Sequence, residues 1–180
     1  LLDFPVRELT GRRLGIVGYG TLGKAVGQVA HAFGMEVLVV QRPGGVAVAG
    51  RVALDEILPV VDVLSLHCPL TPATTGLIDA ARLSRMKPDA VLVNTARGAL
   101  VDSAALADAL RSGRLGGAAI DVLSEEPPAR GDPLLAADIP NLIVTPHVAW
   151  AAREARQRCL DEMAANVEDF TRGGHRGRVV

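Results

Sequence analysis

The sequence has little of three features that would place it in a specialised class of protein. It contains only two cysteines, Cys68 and Cys159, too few for a disulfide framework or a cysteine metal cluster. Acidic and basic residues nearly cancel, with a formal net charge of −1, which argues against a nucleic-acid surface. The longest apolar runs, such as Val63–Leu66, fall well short of the roughly 20 residues that a membrane-spanning helix needs. We therefore expect no metal, nucleic-acid or membrane partner, and favour a cytoplasmic protein whose partners are small molecules.

The chain also lacks an N-terminal methionine and a signal-type leader. It opens with Leu1-Leu2-Asp3-Phe4, so we expect it to be a piece of a longer protein. Its 180 residues are enough for one compact domain with a sizeable core. We place that domain at residues 1–172 and treat residues 173–180, which show no periodicity, as a tail or linker.

Short apolar runs alternate along the chain with segments of helical period. Buried strands are predicted at residues 14–17, 37–40, 63–66, 90–93, 118–122 and 142–144. Helices are predicted at Thr21–Phe33 before Gly34, at 80–86 after Asp79, at Ser103–Ser112 after Asp102, and from about Arg153 to Thr171. This alternation predicts an α/β fold with a doubly wound parallel sheet, of the Rossmann type.

A glycine-rich turn follows the first predicted strand and opens the first helix. In Gly18-Tyr19-Gly20-Thr21-Leu22-Gly23, the first glycine makes a tight turn and the second lets the backbone approach a pyrophosphate. The third lets helix and strand pack closely. N–H groups near Thr21 and Leu22, with the positive end of the helix dipole, form an anion site. Such turns also occur without a ligand, but the strand before and the helix after favour a dinucleotide cofactor, NAD or NADP.

The carboxylate that usually selects NAD is absent. Gln41 stands at the end of the second predicted strand, where Asp or Glu normally accepts both ribose hydroxyls. Gln41 keeps hydrogen-bonding capacity without repelling the extra phosphate of NADP. The neighbouring Arg42 is either an ordinary surface arginine or a partner of that phosphate. We therefore expect both coenzymes to bind, with discrimination of about tenfold.

Polar side chains follow the later strands at their carboxyl ends, where the ligand crevice of an open α/β sheet lies. They include Arg97, two histidines and several carboxylates. Arg97 suits the carboxylate of a 2-oxo acid because its planar fork matches that group, and the adjacent Gly98 is expected to leave room for a close ligand. A histidine suits proton donation because its pKa lies near neutrality. Spacing does not decide between His67 and His147, which both end strands near a proline.

Four ordered motifs together resemble the D-isomer-specific 2-hydroxyacid dehydrogenases and span nearly the whole chain. They are the glycine turn 18–23, the Asn-Thr-Ala-Arg-Gly run that ends at residue 98, the run 121–128 with its Glu-Glu-Pro-Pro end, and Thr-Pro-His at 145–147. The resemblance implies that Arg97 binds the substrate, that His147 donates the proton, and that Glu126, rather than Glu125, pairs with His147. It also implies a set of coenzyme contacts: Thr21, Leu22, Cys68, Ala96 and Asp121.

Residues 147–156 are most similar to the glycerate dehydrogenase, or hydroxypyruvate reductase, branch of that family. The resemblance implies an oxidoreductase that transfers hydride between NAD(P)H and a small D-2-hydroxyacid/2-oxoacid pair, either glycerate/hydroxypyruvate or glycolate/glyoxylate. Within this segment, Trp150 either shapes the substrate pocket or serves only in packing.

The resemblance also implies a homodimer and a separate N-terminal substrate domain. That domain is missing from this chain, so we expect the isolated fragment to be inactive. Two alternatives stay open: a coenzyme-sensing module without catalysis, and a formate- or phosphonate-type dehydrogenase on the same scaffold.

Overall fold

A computed structural model of the chain describes residues 6–42 and 45–178. The chain splits into two compact units, Leu1–Pro146 and His147–Val180. Within the described residues, no helix combines the length and apolar character needed to cross a membrane.

The first unit is built on a parallel sheet. Its strands, over the described residues, are β1 (Arg13–Val17), β2 (Glu36–Val40), β3 (Arg51–Val52), β4 (Val63–Leu66), β5 (Val91–Asn94), β6 (Gly117–Ile120) and β7 (Leu142–Val144). They lie in the order β3-β2-β1-β4-β5-β6-β7, with every pair parallel. The predicted doubly wound α/β fold is confirmed. β3 was not predicted, because two residues are too short to make a recognisable apolar run.

Short helices connect the strands: α1 (Thr21–Ala32), α2 (Leu54–Ile57), α3 (Ala80–Leu83) and α4 (Ser103–Arg111). The cap predicted for α4 is confirmed, since the Asp102 carboxylate accepts the N–H groups of Ala104 and Ala105, both at 3.0 Å. Asp79 caps α3 in the same way, but this helix ends three residues before the predicted Met86. Beyond Leu83 the backbone forms tighter turns, in which the Arg85 N–H donates to the Arg82 carbonyl and the Met86 N–H to the Leu83 carbonyl.

Helices cover both faces of the sheet, as alternate residues of β1 show. Leu14 and Ile16 pack into one buried cluster with Ala30 of α1. Val17 belongs to a second, larger cluster, which also contains Ile57 of α2. Because successive side chains of a strand point to opposite faces, β1 is buried on both sides.

β1 and β4 are neighbours in the sheet, although β2 and β3 lie between them in sequence. The direction in which strands are added reverses here, and such a switch point leaves a crevice at the carboxyl ends of the strands. The register pairs Val17 with Leu66, so the residues that follow, Gly18 and His67, emerge side by side at this crevice.

The second unit contains α5 (Arg153–Thr171), which confirms the predicted last helix. Its large apolar side chains are 58% to 78% exposed: Leu160, Met163, Val167 and Phe170. Beyond the helix, the Arg176 guanidinium pairs with Glu162 at 2.9 Å and its backbone N–H donates to Asp169. Residues 173–178 therefore turn back onto α5.

Asp62 joins three elements at the amino-terminal edge of the sheet. Its carboxylate accepts hydrogen bonds from the Arg13 backbone N–H at 2.7 Å, Lys87 Nζ at 3.0 Å and the Arg12 guanidinium at 3.3 Å. Burial by itself would raise the pKa of Asp62, but these hydrogen bonds and the charge of Lys87 outweigh it and hold the pKa below its ordinary value.

We expect Asp62→Asn to lower the free energy of unfolding by about 2 kcal/mol at pH 7, because hydrogen bonds to a charged group are lost. A lowered folded-state pKa means that the carboxylate stabilises fully above the unfolded pKa of about 3.9 and loses this effect as the pH falls through the folded value. Urea unfolding at pH 7 and pH 3 should therefore show the gap between wild type and variant closing in acid. Asp108→Asn, at a side chain 81% exposed, is the control; equal losses for both variants would contradict this role.

Candidate active site at the carboxyl edge of the sheet

The glycine turn closes against the end of β4. Gly18 has a φ of 94°, and a Cβ there would lie 2.5 Å from the Cys68 backbone nitrogen. A Cβ on Gly23 would lie 2.1 Å from the Gly18 carbonyl oxygen. Both positions accept only glycine, for reasons of backbone contact rather than ligand contact.

Gly20 differs from these two glycines because a Cβ there would meet nothing within 4 Å. Directly after it, the first turn of α1 has no side-chain cap and no acidic residue. The first N–H groups of a helix have no intrahelical partner, and they carry the positive end of the helix dipole. Thr21 and Leu22 begin this turn and are both exposed. This arrangement has the features of an anion site, and the binding of a pyrophosphate here stays a prediction.

A cavity of about 520 Å³ opens from this turn over the ends of β1, β2 and β4. It is lined by Val17, Gly18, Tyr19, Gly20, Val40, Gln41, Arg42, Arg51, His67, Cys68, Pro69, Thr71, Ala73 and Thr74. Five residues predicted to contact coenzyme are thus brought together: Gly18, Gly20, Gln41, Arg42 and Cys68. The volume lies within the range of small-molecule sites.

His67 and Cys68 are both uncharged in this wall. The His67 Nε2 atom lies 2.8 Å from the Ser65 hydroxyl, and burial lowers the pKa of the ring. A neutral imidazole is a poor proton donor, so His67 is better suited to a structural role than to proton donation. Burial raises the pKa of the Cys68 thiol, which therefore stays protonated.

Gln41 lines the cavity, but its side chain is already engaged. Its Nε2 donates to the Val46 carbonyl at 2.7 Å, and its Oε1 accepts the Val48 N–H at 3.1 Å. The amide therefore organises the loop that follows β2, a role that spacing did not predict. A direct bond from Gln41 to a ribose stays a prediction.

The loop that carries Arg97 is organised by Asn94, a fully buried residue that ends β5. Asn94 Nδ2 donates to the Arg97 carbonyl at 2.9 Å, and Asn94 Oδ1 accepts the Ala96 N–H at 3.0 Å. The Arg97 side chain is exposed at the rim and donates to the Ala96 carbonyl at 2.6 Å. Ala96 and Arg97 thus project from a loop whose backbone is fixed from below.

Gly98 was expected to leave room for a ligand, and this expectation is wrong. A Cβ there would lie 2.0 Å from the carbonyl carbon of Leu123. The space beside Gly98 is filled by the backbone of the loop after β6. That loop also positions Glu126, whose Oε1 accepts the Leu123 N–H at 2.7 Å. The loops bearing Arg97 and Glu126 are therefore in direct backbone contact.

Asp121 and Glu125, which precede Glu126 in the same segment, bind different partners. Asp121 is buried at the end of β6 and accepts a hydrogen bond from the Thr145 hydroxyl at 2.5 Å. Glu125 forms an ion pair with Arg130 at 3.0 Å, and its place outside the catalytic set stays a prediction.

His147 begins the second unit, where it has a φ of 53°. Positive φ is uncommon for a residue other than glycine. Its carbonyl accepts a hydrogen bond from Trp150 Nε1 at 2.8 Å, and the Arg156 guanidinium lies 6.0 Å from the centre of the Trp150 ring. Trp150 is nevertheless 61% exposed, so these contacts do not bury it, and a role in the substrate pocket stays a prediction. The pairing of Glu126 with His147 stays a prediction.

Sequence reasoning missed several residues that shape the site. Asn94 was visible as a polar residue directly ending an apolar run. Thr74 is buried, and its hydroxyl donates to the Pro69 carbonyl at 2.8 Å in the cavity wall. Arg51 reaches the cavity from β3, a strand too short to be predicted. Tyr19 lies inside the glycine motif and lines the cavity, but the motif specifies no residue type at this position, so the pattern did not indicate a role for it.

Comparison with known proteins identifies close relatives of this arrangement. The family described as D-isomer specific 2-hydroxyacid dehydrogenase, NAD binding domain, matches residues 2–149. Glycerate dehydrogenase of Methylorubrum extorquens is 50% identical over 171 residues, which cover 95% of this chain and 54% of that protein. Hydroxypyruvate reductase of Blautia hydrogenotrophica is 41% identical over 175 residues, 95% of this chain and 54% of that protein.

Solved structures with a similar fold include relatives of the same kind. The TT0316 protein of Thermus thermophilus superposes with a TM-score of 0.82 at 44% identity, covering 94% of this chain and 54% of that one. An acyclic imino acid reductase in complex with NADPH and D-Arg has a TM-score of 0.85 at 33% identity, covering 96% and 55%. The chain thus spans about half the length of the relatives it matches.

The contrast between Gly18 and Gly20 can be tested in the full-length protein. Gly18→Ala should lower the free energy of unfolding by about 1–3 kcal/mol, because it combines backbone overlap with an unfavourable φ. Gly20→Ala should leave stability unchanged but weaken NADH binding, since the methyl group occupies the space through which a pyrophosphate would approach. Thermal unfolding and nicotinamide fluorescence titration separate the two effects. Unchanged NADH affinity in Gly20→Ala would contradict the assignment of this turn.

Proposed function

Since the chain belongs to the D-isomer-specific 2-hydroxyacid dehydrogenase family, we propose that it is the coenzyme-binding part of an enzyme that reduces a small 2-oxo acid with NADH or NADPH. The observation that carries this proposal is the glycine turn, closed on the end of β4 and open at Gly20 toward the cavity. We assign residues 1–172 to this coenzyme-binding domain and 173–180 to a tail, with a separate substrate domain completing the enzyme.

The described residues fit a dinucleotide along this edge of the sheet. The N–H groups at Thr21 and Leu22 bind the pyrophosphate, with Gly20 allowing its approach and Gly23 allowing the helix to pack against the turn. Gln41 and Arg42 lie at the adenosine ribose. Further contacts come from Cys68, Ala96 and Asp121. When bound, the nicotinamide supplies the hydride for the carbonyl carbon of the substrate.

Three side chains carry the substrate chemistry. Arg97 anchors the substrate carboxylate and polarises the carbonyl, which its exposed position at the rim supports. His147 gives a proton to the carbonyl oxygen, and Glu126 holds the protonated imidazole. Burial lowers the pKa of the His67 ring, which disfavours the protonated form that a proton donor needs there. The backbone contact between Gly98 and Leu123 holds the loop that carries Arg97 against the loop that carries Glu126.

The preferred substrates are hydroxypyruvate and glyoxylate. The names of the relatives support this choice: glycerate dehydrogenase and hydroxypyruvate reductase among the closer ones, and glyoxylate reductase at 40% identity. We also propose a cytoplasmic homodimer, by analogy with the family. Because the substrate domain would form the opposite wall of the cleft, the isolated chain should hold coenzyme without turning over substrate.

The roles of the two rim histidines are tested in the full-length enzyme. His147→Ala should lower kcat for hydroxypyruvate reduction by roughly 10²–10⁴, the usual effect of losing a general acid. His67→Ala is the matched control and should keep most of the turnover. In the wild type the His67 ring is hydrogen-bonded to Ser65 and burial lowers its pKa, so its removal takes away no proton donor. Arg97→Ala should both raise KM and lower kcat, and Glu126→Gln should shift one limb of the pH–rate profile.

Steady-state kinetics across pH separates these variants. The assignment is wrong if His67→Ala abolishes turnover while His147→Ala leaves it intact. The proposed reaction as a whole fails if no 2-oxo acid of up to four carbons supports NADH or NADPH oxidation.

A further inference from the structure

One end of the cavity carries two positive charges and no negative one. Arg42 and Arg51 both line it, and none of its lining residues is Asp or Glu. Within residues 6–42 and 45–178, neither guanidinium takes part in an ion pair or side-chain hydrogen bond. Most other arginines of the first unit are used differently, as in the pairs of Arg111 with Asp138 and Arg82 with Asp55. Two arginines in the wall of a cavity of this size, without an ion-pair partner among the described residues, favour an anionic ligand group.

Arg51 is held at this end by strand pairing. It opens β3, where its Cα pairs in register with Val39 of β2. The Gln41 N–H donates to the Val52 carbonyl at 2.8 Å, which continues the pairing past the end of β2. Arg51 is therefore half-buried beside the position where a dinucleotide-binding sheet meets the adenosine ribose.

Gln41 connects the two arginines through the intervening loop. Its Oε1 accepts the Val48 N–H at 3.1 Å, and the Val48 carbonyl accepts the Arg51 N–H at 3.1 Å. On the other side, the Arg42 carbonyl accepts the Gly45 N–H at 3.1 Å. The side chain at the usual ribose-binding position thus fixes the backbone that carries Arg42 and Arg51.

We propose that Arg42 and Arg51 form a binding site for the 2′-phosphate of NADP(H), with Gln41 as the residue that positions them. The proposal rests on the coenzyme role proposed above, and it goes further by adding Arg51 and by preferring the phosphorylated coenzyme. Two guanidinium groups supply paired donors that match phosphate oxygens, and no carboxylate in the wall repels the phosphate. The pyrophosphate does not compete for them, since the glycine turn and the start of α1 provide its site.

The test compares ligands that differ only in the 2′-phosphate, so it does not depend on turnover. Affinities of the full-length enzyme for 2′,5′-ADP and 5′-AMP are measured by calorimetry, together with those for NADPH and NADH. We expect 2′,5′-ADP to bind at least about tenfold more tightly than 5′-AMP, since one charge-assisted hydrogen bond is worth about a factor of ten or more. Arg51→Ala should remove most of that difference and leave 5′-AMP affinity unchanged, and Arg42→Ala should also remove most of the difference.

Arg111→Ala removes the same charge at a pair outside the cavity and is the matched control. If it weakens 2′,5′-ADP binding as much as Arg51→Ala does, the effect is one of net charge and the proposal is overturned. Equal affinity of the wild type for 2′,5′-ADP and 5′-AMP would also overturn it, whether or not either arginine variant folds. Should the enzyme bind NADPH as proposed but reduce no 2-oxo acid, the proposed reaction fails and the phosphate site stands.

Discussion

The close approach of Gly18 to the backbone of Cys68 is the contact on which the site depends. It occurs where β1 and β4 meet at the switch point of the sheet, and it leaves no space for a Cβ atom. The turn can therefore lead directly into α1 and present the start of that helix to the crevice. A side chain at residue 18 would push the turn away from β4, and the cavity, the helix start and the glycine at residue 20 would no longer share one edge.

A second backbone crossing, between Gly98 and Leu123, has the same effect further along the edge. It brings the loop after β5 against the loop after β6, while Asn94 and the Leu123 N–H fix the loops from within. The backbones of the two loops that carry Arg97 and Glu126 are thereby held against each other. Buried backbone contacts position the rim, and the side chains of Arg97 and Glu126 are exposed above them. The residues proposed to do the chemistry can therefore lie on short loops whose backbones are held by hydrogen bonds.

Periodicity and glycine spacing predicted most of this architecture, because buried parallel strands appear as continuous apolar runs and a dinucleotide turn needs glycine at fixed positions. The same reasoning was wrong about Gly98, since a glycine required by a neighbouring backbone looks identical to one required by a ligand. It also missed Arg51 and the engagement of Gln41. Both depend on a two-residue strand and a loop, whose hydrogen bonds leave no period in the sequence.

The measurement that tests this account most directly is amide hydrogen exchange of the full-length enzyme with and without saturating NADPH. Ligand contact slows exchange where it stabilises local structure. The account predicts new protection at residues 18–23, at 45–52 and at 94–98, all at the carboxyl edge of the sheet, and none around Asp62 at the opposite edge. Protection centred on the amino-terminal edge, or no protection at the glycine turn under saturating NADPH, would contradict it.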